Sequence, residues 1–478
     1  TNPNESVCAV LSIPSIIALT GLRRRQSFQA SCMWVPMGLL IVNTGEVAHL
    51  TSGDTTSPLA GADMLDRESN TLPSGQAILI RDSVIQRISD SESLISEFAP
   101  WWGPGQGTFG ISKPPTNVSL DLSTSPSVLD AKGNAVIPGF VDCHTHLLWG
   151  GDRSNEVALR EQGYSYREIA EMGGGIGKTV RSTRDMTLDD MCRTGLKRLN
   201  QMISTGTTVI ESKSGYGLEL ETELRMLEAM KRLDDSSDVK IFPTWLGAHD
   251  FPPERSRSEY MDDLISVQLP SVSEQGIARW ADVFCEVGWF TNEETEDIVH
   301  AASEFNIPSR LHVDEFEDSG GLALAAELGA ISGDHVAKST PQSRQAATDT
   351  GTMQTFLPGT PYVLGNPLDL PLMECVEQGW AFSLATDYNP NCEISSIPFI
   401  GNLATSRMDL DPFATLIACT RNPSTTLGDD EISGTIEEGG RADINILNSQ
   451  SVDAWCLTPE GDQILFTIIA GSIVNQSN

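Results

Sequence analysis

The chain has 478 residues, 39% hydrophobic and 20% charged, a globular composition that excludes a disordered or fibrous protein. Its 31 basic and 65 acidic residues give a formal charge of −34, which argues against nucleic acid and anionic membrane surfaces as partners, since both would be repelled. A small anionic ligand would need its own arginine or metal to hold it against that field.

In chain order, residues 1–38 read as an N-terminal extension of unassigned role. Their apolar stretch over 7–22 contains Pro14 and several serines and is followed, not preceded, by Arg23, Arg24 and Arg25. That is neither a secretory signal nor a spanning helix of ~20 apolar residues. Residues 39–135 are β-rich and turn-rich, with short apolar runs at 39–42 and 77–80 and a Pro/Gly/Ser/Thr-rich stretch over 103–119. From 136 the pattern changes. Apolar runs at 136–144, 207–213, 241–249, 281–286, 309–314, 330–335, 352–357 and 381–387 alternate with helical patterns. One helix is expected over 218–233, and another over 293–305 with Thr291 as N-cap and Glu294 three residues on. Residues 434–478 return to β character. The expected fold is therefore α/β: a TIM-type (β/α)₈ barrel over 136–433, with a small β-sandwich built from 39–135 and 434–478. The nine cysteines include no C-x-x-C pair and are odd in number, so a disulfide framework is not expected and a cytoplasmic location is.

In such a barrel the chemistry sits where strands end at their C-terminal face. Five of the seven histidines lie at or near those ends. His144 and His146 form an H-x-H pair, whose alternate residues share one face of a strand. His249, His312 and His335 come from the third, fifth and sixth runs, and Asp387 closes the eighth. Imidazoles with a carboxylate suit zinc or iron. A single H-x-H is weak evidence, because a lone strand histidine is commonly a satisfied core residue; metal-compatible groups at several strand ends are much stronger. The run Met172-Gly173-Gly174-Gly175-Ile176-Gly177-Lys178-Thr179 nearly spells a phosphate-binding loop but lacks its first glycine and follows a helical pattern, not a strand. It reads instead as a mobile loop over the barrel mouth.

The stretch VIPGFVDCHTHLLWGGDRSNEVALREQGYSYREIAEMGGGI, with TTVIESKSGYGLELETELRML, TWLGAHDFPPE, ADVFCE, LHVDEF, GDHV and SLATDYNP, resembles the imidazolonepropionase family of amidohydrolases closely over 136–447 and loosely over 39–135. The resemblance implies a homodimeric enzyme of L-histidine degradation that opens the ring of 4-imidazolone-5-propanoate to N-formimidoyl-L-glutamate with a metal-activated water. It implies that His144, His146, His312 and Asp387 hold one zinc or iron ion, and that Glu315 carries the water's proton to the leaving ring nitrogen. His335 would steady the nucleophile or oxyanion, and His249 would polarise the ring carbonyl. Arg153 would grip the propionate, with Tyr216, Tyr166, His249, Glu315 and Asn389 also touching substrate. Asn391 and Cys392 stand where the family has Gly and Thr or Ser, which puts contacts there in question. The fourth run ends Phe284-Cys285-Glu286, without the lysine that carries a second metal in other amidohydrolases, so one metal is expected. Lys213 reads equally as a site residue or as an ion-pair partner of Glu211 or Glu219. Rival readings are another cyclic amidohydrolase or a deaminase of purine-like bases, neither needing a carboxylate clamp, and a non-catalytic barrel serving as a binding module.

Overall fold

The structure, a computed structural model, describes residues 38–476 apart from 104–109, 116–124, 165–167, 170–171, 429–433 and 460–461. The expected extension thus lies, save for Gly38, outside the described residues. All eight expected runs form strands of one parallel sheet. They are β1 (Phe140–Asp142), β2 (Thr207–Lys213), β3 (Lys240–Ala248), β4 (Trp280–Cys285), β5 (Ser309–Val313), β6 (Ser332–His335), β7 (Met353–Phe356) and β8 (Phe382–Leu384). Nearly every position in them is buried, because helices cover the outer face and side chains fill the inside. Helices at Leu220–Ser236 and Asn292–Glu304 occupy the places expected, the second opened by a reciprocal cap between Thr291 and Glu294.

The sheet closes just beyond its first and last strands. The Asp387 amide donates to the His144 carbonyl at 3.1 Å, and the His146 amide donates to the Tyr388 carbonyl at 2.8 Å. Asp142, fully buried, reinforces this seam by accepting from the Thr386 amide at 3.0 Å and the Thr386 hydroxyl at 2.6 Å. The seam brings residues more than 240 positions apart into register.

The first run is not one strand. Val136–Pro138 pairs with Ile444–Leu447 in a separate six-stranded sheet, and the chain enters the barrel only at Phe140. Gly139 makes the switch: a Cβ there would fall 2.3 Å from the Thr208 hydroxyl. A five-stranded sheet holds Leu39–Val42, Gln76–Arg81 and Ser127–Asp130, and side chains from both small sheets, among them Ile41, Ile78, Val136, Ile446 and Ile468, meet in one apolar cluster. The seven cysteines among the described residues are free, and no described helix is long and apolar enough to cross a membrane.

Thr386→Val keeps the side-chain shape but removes one donor from a buried carboxylate. It should lower unfolding stability by about 1–3 kcal/mol in a denaturant titration; an unchanged midpoint would show that the seam does not depend on that bond.

Candidate metal centre and substrate pocket

Five side chains meet at the C-terminal mouth of the barrel because alternation along each strand turns every second residue inward. His144, His146 and Asp387 place one ligand atom each within 4.8 Å of one another, and so do His144, His312 and His335. Two triads thus share His144, and together they contain the four expected ligands. Asp387 Oδ1 lies 3.6 Å from Nε2 of both His144 and His146. That is too long for a hydrogen bond, yet close to the ligand–ligand edge of a tetrahedral site with bonds of about 2.1 Å. Nε2 of His144 and Nε2 of His312 are buried without a hydrogen-bond partner. Unpartnered buried nitrogens are costly unless something electrophilic completes them. The donor set therefore fits a divalent cation. Burial, helped by the Lys213 ammonium, holds His144 neutral, and burial with His249 does the same for His146, the form in which imidazole ligates. Burial raises Asp387 to about 6. The backbone is left-handed at His335 (φ 73°) and Asp387 (φ 52°), conformations that L-residues seldom adopt and that cluster at functional sites.

Behind the imidazoles lies a layer of buried charge. Asp334 Oδ2 accepts from His144 Nδ1 at 2.7 Å, and Asp282 Oδ2 lies 3.1 Å from His312 Nδ1, an arrangement that turns each Nε2 toward the centre. Lys213 Nζ sits 2.7 Å from Asp282 Oδ2, 3.0 Å from Glu211 Oε1 and 3.8 Å from Asp334 Oδ2, every partner fully buried. Burial would push Asp282 up, but the His312 ring and the Lys213 ammonium outweigh it and hold the group below the usual carboxylate range. Burial would lower Lys213, but Asp282, Glu211 and Asp334 outweigh it in turn. Lys213 is thus paired with Glu211, as one reading had it, but Glu219 pairs instead with Arg184, and the contact to Asp282 connects Lys213 to the ligands.

The site opens into a cavity lined by Arg153, Tyr216, His249, Glu315, Asn389 and Asn391, with Phe284, Trp289 and Ile176 as apolar wall. The profile of the amidohydrolase family matches residues 187–475. The imidazolonepropionase of Symbiobacterium thermophilum is 38% identical over 418 residues, covering 87% of this chain and 92% of that protein. The imidazolonepropionase of Clostridium tetani is 41% identical over 68% of this chain and 78% of its own. The chain belongs to the imidazolonepropionase family. Among solved structures the guanine deaminase of E. coli superposes with a TM-score of 0.62 at 13% identity, over 92% of this chain and 100% of that one, a likeness of fold alone.

The family's remaining positions are distributed unevenly. Tyr216 faces the cavity with its ring 5.1 Å from His249 and 5.7 Å from His146. It projects from a turn in which Gly215 (φ +96°) is held by Glu223, whose buried carboxylate accepts from the amides of Gly215, Gly217 and Leu218. The Gly215 carbonyl accepts from His249 Nδ1 at 2.9 Å, which fixes that tautomer, and burial lowers His249 to about 3. Glu315 lies 3.7 Å from His335 Nε2. Burial, then Asp387 and Glu286, raise its carboxyl well above the usual range, and Glu286 accepts from its amide at 2.7 Å. Asn389 uses its side chain on its own turn, accepting from the Asn391 and Cys392 amides and donating to the Asp387 carbonyl. Asn391 lines the cavity but is held by Arg160 at 2.7 Å. Cys392 is buried with its sulfur 3.9 Å from the Thr386 carbonyl and does not line the cavity, so the substitution there is absorbed by packing. Tyr166 lies outside the described residues. The glycine-rich run expected as a mobile loop is instead mostly the first turns of a helix, Gly175–Arg184, with the Gly175 amide donating to Glu156.

Lys213→Met would leave three buried carboxylates without their cation and loosen His144 and His312. Retention of divalent metal should fall by about 10–100-fold, read as the metal-to-protein ratio after dialysis against graded chelator. Full retention would refute the role given to this lysine.

Proposed function

We propose that this metal-dependent hydrolase opens the ring of 4-imidazolone-5-propanoate to N-formimidoyl-L-glutamate in L-histidine degradation. What carries the reading is the pairing of a metal-compatible centre with a buried guanidinium, Arg153, in the wall of the same cavity. A ring-amide hydrolase for a neutral base has no need of that guanidinium. The single cation we assign to His144, His146, His312 and Asp387, zinc or iron, supplies a polarised water near neutral pH when bound. No lysine other than Lys213 stands among the described residues of the centre, and its ammonium is engaged by carboxylates, which favours one ion over two.

The chain's own groups do the rest. Arg153 takes the propionate and sets the ring against Tyr216. His249, with Nδ1–H committed to Gly215, presents Nε2 as an acceptor, which suits a ring N–H rather than the carbonyl first assigned to it. Water adds to the ring carbonyl carbon, and Glu315 takes the proton released. The ring carbon–nitrogen bond then breaks, and Glu315 returns that proton to the departing nitrogen. A carboxyl raised by burial is suited to give back a proton it has just accepted. His335, beside Glu315, steadies the developing oxyanion. Pairing of two copies rests on the family resemblance alone.

The test is ultraviolet monitoring of imidazolonepropanoate loss. Chelator should abolish turnover and added metal restore it, Glu315→Gln should lower kcat by about 10²–10⁴-fold, and Arg153→Met should raise KM by about a hundredfold. An Arg153→Met enzyme with unchanged KM would favour the deaminase or neutral-amide reading. Full activity in chelator would remove the metal from the account.

A further inference from the structure

Glu156 is a buried carboxylate that the mechanism does not use. It stands in the first turn of the helix Asn155–Glu161, three residues after Arg153, and both side chains are nearly inaccessible, at 1% and 5% exposure. Its two oxygens are divided between two partners. Oε2 accepts from Arg153 Nε at 3.0 Å and from Nη2 at 2.7 Å, while Oε1 accepts from the Gly175 amide at 2.8 Å. Gly175 opens the helix whose next residue, Ile176, lines the substrate cavity. Its neighbour Gly174 lies so close that a Cβ there would come 3.0 Å from Oε1.

We propose that Glu156 is a positioning residue that sets the carboxylate selectivity of this site, by locking the guanidinium of Arg153 and the Ile176 wall into one unit. The inference rests on the reading of Arg153 as the propionate clamp. Its chemistry is specific. Both partners of Glu156 are donors, so only a group that accepts at both ends satisfies them together. An amide would turn a donor toward one of the two. A shorter carboxylate could serve one partner but not span both. With its Nε–Nη2 edge held, the guanidinium cannot swing out of the wall, so the entropy of ordering a long side chain is met before the substrate arrives.

The probes are 4-imidazolepropionate and its methyl ester, measured as competitive inhibitors, with KM and kcat for the substrate. Wild type should bind the acid in preference to the ester. Glu156→Gln should weaken the acid by roughly tenfold or more and raise KM, while kcat falls by less and ester binding stays within about twofold. Glu156→Asp, which keeps the charge, should lie between, and it carries the test if the glutamine variant does not fold. Ile176→Ala is the control for a loosened wall and should weaken acid and ester alike. In an Arg153→Met background, Glu156→Gln should leave the acid-to-ester ratio unmoved. If wild type prefers the acid but both Glu156 variants keep that preference in full, or lose acid and ester equally, the inference is overturned and the Arg153 reading stands. If wild type itself does not distinguish acid from ester, both fall.

Discussion

Two backbone hydrogen bonds hold the first strand of the barrel against the last, from the Asp387 amide to the His144 carbonyl and from the His146 amide to the Tyr388 carbonyl. Each uses peptide groups of residues that also carry ligand atoms, or of their immediate neighbours. Closure of the barrel and assembly of the metal centre are therefore one event. A parallel sheet left open at this edge would expose its polar groups and also separate the H-x-H pair from the carboxylate that completes it. The left-handed backbone at His335 and Asp387 is the local cost of turning side chains inward at strand ends.

The second constraint is charge. The chain carries −34 overall, and its reacting centre concentrates still more acid: Asp387, Glu315, Asp282, Asp334 and Glu211. A cation bound by the imidazoles answers part of this, and Lys213 answers the rest from beneath. The arrangement is layered. Lys213 orders Asp282 and Asp334, these orient His312 and His144, and the imidazoles face the cavity with the nitrogens that have no protein partner. Arg153, which we assign to the substrate's carboxylate, lies in the cavity wall, where a local positive group can outweigh the general field.

Much of this was legible in the residues. Each of the eight apolar runs supplied a strand, since strands buried on both faces read as continuous apolar stretches, and the metal-compatible groups stood at or near their ends. The division at Gly139 was not legible, because 136–144 is apolar throughout and periodicity cannot tell which sheet a strand joins. The supporting carboxylates were also missed, although Asp282 and Asp334 stood inside motifs that had been recognised. For Asp282 parity was the available signal, since it shares a strand face with Phe284, which lines the cavity. Tertiary context decided the others. Nothing local marks Glu156 as the partner of an amide 19 positions on, or the asparagine and cysteine after Pro390 as parts of a turn fastened by Asn389.

Side chains just beyond β1 and β8, together with one from β5, are assigned here to a single cation. X-ray absorption at the metal edge of the purified enzyme tests that assignment most directly, together with metal content. One zinc or iron per chain is expected, with only nitrogen and oxygen neighbours at about 2.0–2.2 Å and imidazole scattering behind them. Two ions per chain, a metal–metal vector, or sulfur in the inner shell from a cysteine such as Cys143 would contradict it.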